Sequence, residues 1–143
     1  MALPAHASAI RGDDLQHAVG WYWASRALVD SDIHSVSIED AAGGSFDDVV
    51  VRRRAGKDSF WQIKTSSYGS TMVDETWLVS HVVGGRSPLR RFFDTWRELR
   101  SRENAFELAL VTNRGYDPHH PLLGGLRDLK SLLKDSIGDA SPG

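Results

Sequence analysis

Asp48, Gln62 and Lys64 form the most chemically capable group in this chain. They lie in SFDDVVVRRRAGKDSFWQIKT, where an acidic pair opens a valine run, a turn follows, and a second β-like run carries Gln-x-Lys. Asp48 offers a carboxylate, Gln62 an amide oxygen and Ile63 a main-chain carbonyl, with the Lys64 ammonium beside them. Hard oxygen donors of this kind suit Mg2+, which keeps several waters beside one or two carboxylates. Mn2+ accepts the same donors. Glu39, which closes the preceding β-like run, reads equally as a second metal ligand or as a solvated strand end. The candidate ligand set is Asp48, Glu39, Gln62 and Ile63.

Such a set fits hydrolysis of a phosphodiester. The negative oxygens of that ester repel a nucleophile, so cleavage needs a cation that neutralises charge and generates hydroxide at neutral pH. In this reading Asp48, Gln62 and Glu39 hold the ion. Lys64 orients the attacking water or stabilises the charge that develops on the phosphate. Asp47 reads as a loop cap or a support for the ligands. Gln16, on the first helix, is a further candidate through its amide oxygen.

Register decides whether these groups meet. An antiparallel hairpin with a three- or five-residue turn centred on Gly56 sets Asp48 opposite Lys64 on one face, whereas a two- or four-residue turn separates them. The reading requires the odd turn, or a bulge at the Asp47–Asp48 step. In the return strand Ser59–Thr65, Trp61 and Ile63 face one way and Gln62 and Lys64 the other. Val49, Val50 and Val51 form the unbroken apolar run of a strand covered on both faces.

The remaining elements follow from periodicity. Ile33–Glu39 alternates as a strand, DAAGG is a loop, and Phe106–Thr112 is a buried strand. A first helix is expected from an Asp13 or Asp14 cap to about Val29, with Leu15, Val19, Tyr22 and Val29 on one face. A second runs from Pro88 to Ser101 with a stripe of Leu89, Phe92, Phe93, Trp96 and Leu99. A third spans Leu122 to Ile137. SSYGSTMVDETW, between Thr65 and the second helix, is a polar loop. The order α-β-β-β-α-β-α gives the α/β class. Residues 1–10 are expected as a flexible leader, 11–137 as one domain, and 138–143 as a tail or linker.

The 143 residues suffice for one domain with a real core. The chain has no cysteine, which excludes a disulfide scaffold, a thiolate zinc site and a cysteine nucleophile and fits a cytoplasmic protein. Residues 1–14 lack the apolar run of a signal peptide or membrane span. The net charge of −2 argues weakly against generic DNA coating. Arginines cluster at 52–54 and again between 86 and 102, either as solvated faces or as a phosphate track. His119 and His120 point apart in an extended loop and make a poor metal pair. The five tryptophans are mostly core candidates.

Gly12 and Gln16 with the helix they open, Glu39, FDDVVV, WQIKT, and LALVTNR followed by DPHHPL together resemble the PD-(D/E)XK nuclease superfamily, in the variant whose last motif is Gln-x-Lys. More narrowly, roughly residues 11–125 resemble the N-terminal double-stranded DNA endonuclease domains of bacterial anti-phage effectors, among them nucleotide-activated defence proteins and STAND-type NTPases. The hairpin is the most specific part. The resemblance implies a restriction-endonuclease-like core, a central mixed β-sheet flanked by α-helices. It implies that Asp48 and Lys64 carry catalysis and that Gln62 stands where a second acidic residue is usual, which removes one negative charge from the metal site. It further implies a Mg2+-dependent endonuclease acting on double-stranded DNA, with no membrane partner, restrained until oligomerisation or a partner sensor or NTPase domain activates it. The alternative is a catalytically inactive nuclease fold kept as a DNA-binding or assembly module. A third reading makes Gln62 and Lys64 ordinary strand-face residues.

Overall fold

The computed structural model describes residues 5–65, 72–80, 85–102, 105–115, 117 and 119, and side chains from residue 14 onward. The elements in chain order are α1 (Ala5–Ala27), β1 (Ile33–Ile38), a 3-10 turn (Ala41–Gly43), β2 (Val49–Arg53), β3 (Asp58–Lys64), α2 (Glu75–Val79), α3 (Pro88–Arg102) and β4 (Phe106–Thr112). The helix expected at Leu122–Ile137 and the tail after it lie outside the described residues.

The four strands form one sheet in the order β1-β2-β3-β4. β1, β2 and β3 pair antiparallel as a meander, and β4 joins β3 in parallel. A parallel neighbour requires a long crossover, supplied here by the segment that carries α2 and α3. The chain is thus mixed α/β with a mixed sheet.

β2 is covered on both sides, as its valine run requires. Val49, Val50 and Val51 are each 0% exposed. Alternation sends Val49 and Val51, with Trp61 and Ile63 of β3, into a cluster closed by Val19 and Trp23 of α1. Val50 and Phe60 point the other way and pack with Phe46 and Leu99 of α3. Each such apolar side chain contributes about 1.5–3 kcal/mol on full burial, so the two clusters hold helices to opposite faces of the sheet.

Both helices depart from the sequence expectation. α1 begins at Ala5, so residues 5–10 are its first turns rather than a leader, and Asp13 and Asp14 lie within it rather than capping it. Its inward face is Leu15, Val19, Tyr22, Trp23 and Ala27, while Val29 lies beyond the helix and is exposed. Gly20 lets the helix close on the sheet, since a Cβ there would fall 2.9 Å from Ile38 Cδ1. On α3 the expected single stripe divides. Phe92 and Leu99 face the core, but Leu89, Phe93 and Trp96 are exposed. Thr95 takes the inward position between Phe92 and Leu99, and that rotates the neighbouring apolar residues outward. Trp21 is likewise at the surface, and of the five tryptophans Trp23 and Trp61 are the buried ones.

Candidate active site

The β2–β3 hairpin fixes the register on which the site depends. Val49 pairs with Trp61 and Val51 with Ser59. The ladder is therefore centred on Ala55, not Gly56, and its next pair sets Asp48 opposite Gln62, not Lys64. The turn tightens early for an identifiable reason. Asp58 folds back to accept from the Arg53 N–H at 2.7 Å and to pair with Arg52 at 2.8 Å. Asp32, before β1, accepts from the Ala55 and Gly56 N–H groups at 2.8 and 3.2 Å. The spacing stays odd, so Asp48, Gln62 and Lys64 share one face. It is the face that carries Phe60 and looks toward α3.

Asp48 stands where the β2 ladder stops. Its Oδ2 accepts from the Gln62 side-chain amide and, at 2.6 Å, from the Ile63 N–H. A side chain thus takes the main-chain donor that a longer β2 would have met. N–H and C=O of one strand residue point to the same side, so the Ile63 carbonyl is directed past the end of β2 as well. Gln62 is only 3% exposed, and its amide nitrogen is turned to Asp48, which leaves the amide oxygen as its acceptor. Asp48 Oδ1 takes no hydrogen bond among the described residues. Asp48 Oδ1, Gln62 Oε1 and the Ile63 carbonyl, on residues that meet at the end of the ladder, are oxygen donors of the type Mg2+ uses.

Lys64 closes β3 half-buried, one alternation beyond Gln62 on the same face. β4 completes that face, with Gln62 in register with Leu110 and Lys64 with Thr112. Glu39 comes beside Asp48 through the main chain. Its N–H donates to the Asp48 carbonyl at 3.1 Å, its φ is 55°, and its side chain is exposed. Gln16 is not brought into the group, because α1 covers the opposite face of the sheet. Asp47 contributes its carbonyl, which accepts from the Asp40 N–H at 2.9 Å. His119 is exposed, and its N–H donates to Asp117. Among the described residues no three His, Asp or Glu side chains converge on one point.

Sequence reasoning missed the residues that hold the loop into Asp48. Thr95, buried on α3, accepts the Ser45 N–H at 3.0 Å. Gly44 sits against that threonine with φ 61° and ψ −112°, a backbone conformation open to glycine. Asp40 caps the 3-10 turn by accepting from Ala42, and Arg102 at the end of α3 donates to the Ala42 carbonyl at 3.0 Å. A lone threonine between Phe92 and Leu99 was the available signal. Comparison with family models, curated proteins and solved structures finds no match to this chain. No helix among the described residues is long and apolar enough to cross a membrane.

Proposed function

We propose that this chain is a metal-dependent endonuclease domain with a restriction-endonuclease-like core, acting on double-stranded DNA. The observation that carries the reading is the meeting of Asp48, Gln62 and the Ile63 main chain at the end of the β2–β3 ladder, with Lys64 on the same face. The α-β-β-β-α-α-β order and the parallel fourth strand support the fold assignment. The choice of DNA, and of an anti-phage effector restrained until oligomerisation or a sensor or NTPase domain releases it, rests on the resemblance of the hairpin and its flanks.

Asp48, Gln62 and the Ile63 carbonyl would hold one Mg2+ or Mn2+, with Glu39, joined to Asp48 through the main chain, as the candidate further carboxylate. When bound, the ion would supply charge neutralisation and a coordinated water more acidic than bulk water. The chain's own part is positional. Asp48 is held by two donors, so its free oxygen has a fixed direction. Gln62 is locked by burial. Lys64 sets a positive charge beside the reacting phosphate, where it stabilises developing charge.

One observation favours the inactive module. Asp48 has a structural duty at the ladder end, and it is accompanied by an amide rather than a second carboxylate. Plasmid nicking in Mg2+ or Mn2+ separates the readings. Wild type is expected to nick, and Asp48→Ala and Lys64→Ala to lose at least about 100-fold in rate. Wild-type protein that binds duplex but never nicks it, even when artificially dimerised, would establish the module instead.

A further inference from the structure

Positive charge in this chain is concentrated on one helix. Residues 86–102 hold six arginines and two acids, a net +4, in a chain whose formal net charge is −2. The arginines of the β2–β3 hairpin are engaged within the fold: Arg52 with Asp58, Arg53 with Asp30 and Asp32, and Arg54 with the Ser31 carbonyl. On α3 and the residues that lead into it the balance differs. Arg86 and Arg90 both bind Oδ2 of Asp94, at 2.9 and 3.2 Å, so one carboxylate answers two guanidiniums. The Arg91 and Arg97 side chains are exposed and have no ion-pair or hydrogen-bond partner among the described residues.

These side chains form a continuous surface. Two shallow depressions meet at Arg86 and Asp94, one reaching Ser45 past Arg91 and the other reaching Ser101 past Arg97. They follow α3, whose 15 residues extend about 22 Å at 1.5 Å each. That length matches about six base pairs of duplex at 3.4 Å per step. Ser45 joins this surface to the candidate site, because its N–H is held by Thr95 and its loop runs on to Asp48.

We propose that the arginine-lined face of α3 binds the phosphate backbone of duplex DNA, with the choice of occupant resting on the nuclease reading above. Charge complementarity selects this occupant. A second copy meeting the face by two-fold symmetry would set arginine rows against each other. A single strand would need open aromatic faces for its bases. Trp96 already has Phe93 stacked on it and the Arg100 guanidinium over its ring.

A short fluorescent duplex titrated by anisotropy in EDTA reads binding without cleavage. Charge reversal by Arg91→Glu with Arg97→Glu is expected to weaken binding at least about ten-fold, and the paired alanine variant to flatten the slope of log Kobs against log salt by about 2. Lys57→Glu, the same charge change at the hairpin tip, is expected to matter far less. Thermal melts followed by circular dichroism verify that each variant is folded. Wild type that fails to bind duplex, no effect of the α3 reversal, equal weakening by Lys57→Glu, or capture by phosphatidylserine vesicles in place of duplex would each overturn the proposal. Cleavage discriminates it from the reading it rests on. If Asp48→Ala cuts like wild type while the α3 variants lose binding, the site assignment fails and the binding surface stands.

Discussion

Asp48 serves the fold and the proposed chemistry through different atoms, so substitutions separate the two. Asp48→Ala strands the Gln62 amide and the Ile63 N–H, and is expected to destabilise the protein by about 1–3 kcal/mol. Asp48→Asn keeps an oxygen acceptor and should cost less. Both should abolish Mn2+ binding. Chemical denaturation and a Mn2+ titration test this together, and an Asp48→Asn protein that binds Mn2+ as wild type does would remove Asp48 from the metal site. Glu39 presents the opposite case. A glutamate at φ 55° carries backbone strain that asparagine tolerates better. Glu39→Asn is therefore expected to be neutral or stabilising by up to about 1 kcal/mol. If Mn2+ affinity falls in the same variant, the strain is held in place for a ligand; unchanged affinity would make Glu39 a solvated strand end.

At the scale of elements, the site depends on how α3 and the segment before β1 grip two turns. Gly44→Ala forces a side chain into a glycine conformation 3.1 Å from Thr95, at an expected cost of about 1–3 kcal/mol. Nicking should fall further than stability does, because the displaced loop leads to Asp48. At the hairpin tip, the bond from the Ala55 N–H, reinforced by Gly56 and Arg53, holds the Asp32 carboxyl below its ordinary value of 3.8. A lowered pKa stabilises above the ordinary value, and the gain is lost as pH falls through the lowered one. The melting-temperature advantage of wild type over Asp32→Asn should thus be full at neutral pH and shrink in acid. A gap of constant width across that range would contradict it. These grips were the least legible part of the sequence. β4 was readable as Phe106–Thr112 from its β-forming residues, although it is only partly buried rather than the buried strand expected. The valine run was readable as a doubly covered strand because full burial leaves a mark in residue type. The shared face of Asp48, Gln62 and Lys64 was readable from alternation. The turn centre was not, because Asp32 and Asp58 set it through contacts that periodicity does not encode. The short α2 was missed inside a polar stretch, although Asp74 capping Trp77 is the usual start signal. The outward turn of Phe93 and Trp96 was missed because a helical stripe defines a face only to within one residue's rotation.

Among the described residues the molecule is arranged around β2 and β3, with β4 joined across a long crossover. The meander β1-β2-β3 is made of local pairings, and Asp48 meets Gln62 only 14 residues away. β4 reaches β3 only after the chain has passed through α2 and α3. Truncation after Arg102 would expose the edge of β3 along Phe60, Trp61, Gln62 and Ile63. Such a fragment is expected to aggregate, as unprotected apolar edges do, and a monomeric fragment in light scattering would refute this. In the intact chain the same geometry sets an order in time. Local closure is fast and crossover pairing is slow. The proposed ligands are therefore expected to come together early on an open sheet edge, and the slow step of refolding to seal them. Dilution from denaturant into Mn2+ should accordingly accelerate refolding, since the ion would stabilise the hairpin before β4 arrives.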